Sequence, residues 1–183
     1  MKKTITLKRI SVFIASPGDT ADARDIVRQA IDRINRLVAR ERGFLLESIG
    51  WENIPPGRGE SSQEVINPYV DDAHVFIGIL HQRFGTPTGI AESGTYEEFL
   101  RINKRWENES VKPEIMIYFK KVEENRCLDP GPQLTKVLEF KERIRKENFY
   151  HEFEDNKTLR EEIENAFLIG FINKKIKLSS HHP

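Results

Sequence analysis

Five stretches of the chain are apolar and rich in β-branched or aromatic residues. They are Ile10–Ala15, Phe44–Trp51, Ala73–Leu80, Glu114–Phe119 and Phe149–Phe153, the last being the shortest and weakest. Such runs predict strands. Ala73-His74-Val75-Phe76-Ile77-Gly78-Ile79-Leu80 is the most apolar, as expected of a central strand covered on both faces. Between these runs the apolar positions change to helical spacing. Ile26, Val27, Ala30, Ile34, Leu37 and Val38 predict a helix from Thr20 to Arg42, capped by Asp19 and closed by Gly43. Ser61 with Glu64 forms a capping-box pattern for a short helix to Val70. A third helix opens at Ser93-Gly94-Thr95 and runs to Asn108, a fourth follows Pro130-Gly131-Pro132 to Glu147, and a fifth spans Thr158 to Asn173.

Strands alternating with helices imply right-handed crossovers and a parallel sheet. The pattern predicts an α/β, flavodoxin-like, three-layer doubly wound sheet of about five strands, in one domain over residues 1–178 with a polar tail at 179–183. Asn53 to Glu60 holds paired prolines and two glycines, which break helix and sheet alike, so it is expected as an exposed loop.

Composition narrows the function. Lys plus Arg equals Asp plus Glu at 29 each, which argues against the basic stripe of a nucleic-acid binder. No run approaches the roughly 18 apolar residues of a membrane span. The charged Lys8 and Arg9 interrupt the apolar start before it can serve as a secretory leader. The sole cysteine, Cys127, has no internal partner, so the expected setting is the reducing cytoplasm. His74, His81 and His151 have no ligand spacing, so neither a metal nor another cofactor is expected.

In open α/β sheets ligands bind beyond the carboxyl ends of the strands, and several polar residues fall there. Glu98 follows the central strand and can stabilise or attack a sugar C1 as its bond to a base breaks. It also completes a Thr95-x-x-Glu98 capping box, and both readings stay open. Glu97 is expected as a solvated first-turn acid. Ser16-Pro17-Gly18-Asp19 opens a helix where free N–H groups attract phosphate, although the dinucleotide Gly-x-Gly-x-x-Gly spacing is absent. Arg24 is expected on a solvated face. Trp51 suits either the core or stacking on a base. Glu52 and Arg83 both fall at strand ends, within reach of a polar ligand.

Taken together, several of these residues resemble a known family. Val12-Phe13-Ile14-Ala15-Ser16 with Asp19 is similar to the opening strand of TIR (Toll/interleukin-1 receptor) domains, and Trp51-Glu52-Asn53-Ile54-Pro55-Pro56-Gly57 to their BB loop. Ile66 through Leu80 resembles their second helix and third strand. Ser16-Pro17-Gly18-Asp19…Arg24, Arg83-Phe84-Gly85-Thr86-Pro87 and Ser93-Gly94-Thr95…Glu98-Phe99 more closely resemble a bacterial TIR-like family of uncharacterised domains that often precede NTPase or repeat modules. Gly94-Thr95-Tyr96-Glu97-Glu98 is also similar to the Gly-x-x-x-Glu turn of nucleoside 2-deoxyribosyltransferases. The Ser-x-Trp-Cys approach to the TIR glutamate is absent, and Phe99-Leu100 is bulkier than the residues that usually follow the transferase turn.

The resemblance implies an N-glycosidase that hydrolyses NAD or a related nucleotide at the ribosyl–base bond, in bacterial defence signalling. Glu98 would be catalytic. Ser16, Gly18, Trp51, Glu52, Arg83, Phe84, Ser93 and Thr95 would line the substrate, with Trp51 or Phe84 near the base. It also implies self-association through the Pro55–Gly59 loop. A non-catalytic interaction module and a nucleotide-binding sensor are the alternatives.

Overall fold

The computed structural model describes residues 6–39, 41–54, 62–147 and 150–171. The Pro55–Gly59 loop, the Ser61 half of the capping box and the tail at 179–183 lie outside these residues. Five strands form one sheet: β1 (Lys8–Ala15), β2 (Phe44–Gly50), β3 (Val75–Leu80), β4 (Glu114–Lys120) and β5 (Tyr150–Phe153). Their order is β2-β1-β3-β4-β5, and every neighbouring pair is parallel. This is the flavodoxin-like order, with its switch point between β1 and β3.

The helices are α1 (Ala21–Ile34), α2 (Ser62–Asp71), α3 (Gly94–Asn108), α4 (Glu124–Leu128), α5 (Gly131–Arg145) and α6 (Asn156–Asn165). Strand alternation divides the core between them. Val12, Ile14, Val75, Ile77 and Ile79 point to one face, where Val27 and Ile31 of α1 and Leu159 and Ile163 of α6 cover them. Phe13, Phe76, Leu80, Ile117 and Phe119 point to the other, under Val70, Ile102 of α3, and Leu134, Val137 and Phe140 of α5. Gly78 interrupts β3 on this second face. A Cβ there would stand 2.8 Å from Ile117 Cδ1, so the glycine makes room for the neighbouring strand's side chain.

The boundaries differ from the sequence reading where local hydrogen bonding overrides periodicity. The first helix begins after a 3-10 turn at Gly18–Thr20, and beyond Ile34 it widens into a π turn over Asn35–Ala39. Asn35 exchanges hydrogen bonds with the Leu46 backbone at 2.8 and 2.9 Å, tying that turn to β2. The last helix likewise widens at Ala166–Phe171. Cys127 lies on the short α4 and is exposed.

Candidate functional site

Helices α1, α2 and α3 each begin after a strand ends, so their first turns gather at the carboxyl edge of the sheet, where unpaired N–H groups favour negative charge. Ser93 caps α3, its hydroxyl accepting from Tyr96 N–H at 3.1 Å. The expected Thr95–Glu98 capping box is therefore not formed. Thr95 is a half-buried first-turn residue, and the Glu98 side chain has another role.

Glu98 is only 5% exposed. Gln63 in the first turn of α2 donates its amide N–H to Glu98 Oε1 at 3.2 Å. Gln63 is itself buried, and a Cβ on Gly94 would stand 3.1 Å from its Oε1, so the glycine lets α2 approach. Burial pushes the Glu98 carboxyl up to about 8; the Gln63 donor opposes this and the charge on Glu97 adds to it. Burial therefore dominates, and the resting carboxyl is mostly neutral at pH 7.

Glu97 corrects a second expectation, for it is buried rather than solvated. Its carboxylate accepts from Thr88 Oγ1 at 2.5 Å and from Asn67 Nδ2 at 3.3 Å. One acid thus ties together α3, α2 and the loop entering α3.

A second constellation lies at the ends of β1 and β2. Arg24 is 4% exposed, not solvated. It donates to Ser16 Oγ at 2.6 Å and to the Pro17 carbonyl at 3.0 Å, and its Nε lies 2.5 Å from Glu52 Oε1. Arg28 donates to Glu52 Oε2 at 2.8 Å. Burial disfavours the charge on Glu52, but the backbone N–H and the two guanidinium groups outweigh it and hold the carboxyl below its ordinary value. Trp51 is 49% exposed, which removes the core reading, and the Arg24 guanidinium lies 5.8 Å from its ring centroid.

The loop from β3 to α3 is pinned from two sides. Asp19 Oδ2 accepts from the N–H groups of Gln82 and Arg83, both at 3.0 Å, so this acid clamps the switch point instead of capping α1. Gln133 of α5 accepts from Phe84 and Gly85 N–H at 2.8 and 3.0 Å and donates to the Gly85 carbonyl at 3.2 Å.

The structure brings Ser16, Trp51 and Glu52 together around Arg24, and Ser93, Thr95 and Glu98 together at the start of α3. Gly18 and Arg83 are exposed at the same edge. Phe84 is placed elsewhere: its ring is buried among Tyr96 and Phe140, with centroids at 5.5 and 5.9 Å, so it packs the core rather than facing a base. Sequence reasoning missed Gln63, Asn67, Arg28 and Gln133. Among the described residues no group of three or more His, Cys, Asp or Glu is placed to hold a metal, and no helix is long and apolar enough to cross a membrane.

Comparison with known proteins adds the following. The model of the family described as "Domain of unknown function (DUF4062)" matches residues 11–168. No curated protein matches the chain. Among solved structures, the chain is similar to one in "Crystal structure of the RPS4 and RRS1 TIR domain heterodimer", at 10% identity and a TM-score of 0.49, covering 90% of this chain and 99% of that one. It is also similar to one in "Structure of the activated Roq1 resistosome directly recognizing the pathogen effector XopQ (TIR domains)", at 13% identity and a TM-score of 0.40, covering 93% and 97%. The fold assignment stands on the strand order given above.

Proposed function

The chain belongs to the DUF4062 family, and from that premise we propose that it is a nucleotide N-glycosidase, cleaving the ribosyl–base bond of NAD or a related nucleotide. The observation that carries this reading is Glu98, a carboxyl buried beyond the carboxyl edge of a parallel sheet with the Gln63 amide as its hydrogen-bond partner among the described residues. Such an acid opposes folding at neutral pH, and strongly displaced acids of this kind concentrate at functional sites.

In the reaction, the bond between ribosyl C1 and the ring nitrogen breaks and its electron pair leaves with the base. Positive charge builds on the sugar, and an ionised Glu98 beside it lowers the barrier. A water oxygen bonds to C1 and gives its proton to the carboxylate or to solvent. With its pKa at about 8, roughly one molecule in ten is ionised at pH 7. A cationic ring nitrogen brought close to Glu98 raises that fraction, which favours a nicotinamide nucleotide over a neutral nucleoside.

Trp51 offers a half-exposed ring for the base, and the Ser16–Gly18 turn with Arg83 offers N–H groups and a cation for phosphate. Glu52 acts through Arg24, which it holds against Ser16. Ser93 fixes the first turn of α3, where Thr95 also lies. Self-association through Pro55–Gly59 belongs to the same proposal, because that loop leads directly into the helix carrying Gln63.

The test is nicotinamide release from NAD by wild type and by Glu98→Gln, at protein concentrations high enough to drive self-association. Release that requires Glu98 supports the reading. Nucleotide binding without release would make the chain a sensor, and neither would leave an interaction module.

A further inference from the structure

Two side chains of α2 reach the acidic pair at the start of α3, and their effects are opposite. Gln63 donates to Glu98 Oε1 at 3.2 Å, while Asn67, one turn later, donates to Glu97 Oε1 at 3.3 Å and so fixes the carboxylate of the adjacent residue. Thr88 fixes Glu97 from the other side at 2.5 Å. Both α2 contacts depend on close approach of the helices, which Gly94 permits by having no Cβ to meet Gln63.

We infer that Gln63 and Glu97 are positioning residues that adjust in opposite directions the charge state burial gives Glu98: Gln63 favours the carboxylate by directing an N–H at it, and Glu97 opposes it by like charge. Hydrogen bonding to the charged form and proximity of a second anion are separable influences on an acid, and here they come from different elements. The effect of this pair on turnover rests on the hydrolase reading above, but its effect on the carboxyl exists without substrate.

Of the other charged groups near the pair, Arg101 and Arg143 make hydrogen bonds to other residues. Arg101 of α3 forms a two-point pair with Asp71 of α2, at 2.6 and 2.5 Å. Glu64 of α2 is exposed, and Arg143 of α5 reaches the Tyr96 hydroxyl. The loop presents neutral Thr88. No cation among these groups pairs directly with Glu98, so the amide and the neighbouring acid modulate a titration that burial dominates.

The experiment is a pH titration of the Glu98 side-chain carboxyl by carbon NMR in protein labelled at glutamate, with the signal assigned by its loss in Glu98→Gln. Gln63→Met keeps the volume and removes the donor, so the midpoint should rise by about half a unit or more. Glu97→Gln removes the charge and keeps the shape, so the midpoint should fall by a similar amount. The amide spectrum confirms folding, and because Glu97→Gln leaves Gln63 in place, it tests the claim even where the Gln63 variant fails to fold. A midpoint that stays fixed in either folded variant, or moves the opposite way, overturns the assignment. Nicotinamide plays no part in this readout. A chain that titrates as stated yet leaves NAD intact keeps the positioning roles and loses the hydrolase, and a chain that cleaves NAD with an unmoved midpoint does the reverse.

Discussion

Arg24 Nε and Glu52 Oε1 stand 2.5 Å apart, joining a guanidinium that is only 4% exposed on α1 to the turn that follows β2. The pair holds the ends of β1 and β2 together, because the same arginine also donates to Ser16 and to the Pro17 carbonyl. Gly50 makes the neighbouring Arg28–Glu52 contact possible, since a Cβ there would lie 2.8 Å from Arg28 Nη2 and 2.9 Å from Glu52 Oε2.

Removing one partner leaves a buried cation unmatched. Glu52→Gln should lower unfolding free energy by about 2–4 kcal/mol, read from urea denaturation at pH 7. The Glu52 carboxyl is held below its ordinary value, so its contribution is present above pH 4.5 and is lost as pH falls through the folded pKa. Wild type should therefore lose more stability than Glu52→Gln between pH 5 and about pH 3.

Glu98 acts with the opposite sign. Its carboxyl is raised from 4.5 to about 8, so the folded chain keeps a proton that the unfolded chain has released, and stability falls as pH rises across that interval. Glu98→Gln removes this liability. It should melt close to wild type near pH 5 and be more stable by on the order of 3 kcal/mol at pH 7, as thermal scans at the two pH values would show.

Gly78 tests the packing of the second face. Gly78→Ala brings a methyl to 2.8 Å from Ile117 Cδ1 and 3.3 Å from Phe76 Cε1, and should destabilise by about 1–3 kcal/mol. Ile117→Val removes the colliding atom. In the double variant the loss should be smaller than the sum of the single changes, measured as an interaction energy in a denaturation cycle.

Gln133 should govern the order of the loop into α3. Gln133→Ala removes the acceptor for Phe84 and Gly85 N–H, so exchange of those two amides should accelerate by about tenfold or more while the core of β3 keeps its protection.

The layered sheet was legible because strand and helix periodicities are distinct and the crossover rule leaves few topologies. The site was legible only in part. Arg24 lies three residues before buried Val27 and seven before Ile31, Glu98 lies four before Ile102, and Gln63 lies seven before Val70. Each is therefore a polar residue on the apolar stripe of its helix; Arg24 reads locally as solvated and Glu98 as a cap, while Gln63 escapes notice beside the Ser61–Glu64 capping pattern. Asp19 has every local mark of a helix cap, yet its oxygen goes to amides more than 60 positions away. Gln133 and Asn67 carry no local mark at all, since their value comes from partners that only the fold brings near. Phe84 sits in a turn-rich loop, and nothing in its neighbours reveals that its ring is turned into the core.

The most direct test follows nicotinamide release from NAD between pH 6 and pH 9 by wild type and Glu98→Gln, at concentrations that drive self-association. The account predicts that kcat/KM for wild type rises with pH and levels off above an apparent pKa near 8, as Glu98 ionises in the free enzyme, and that Glu98→Gln releases none. Release by Glu98→Gln at the wild-type rate, or no release by wild type at any pH, would contradict it.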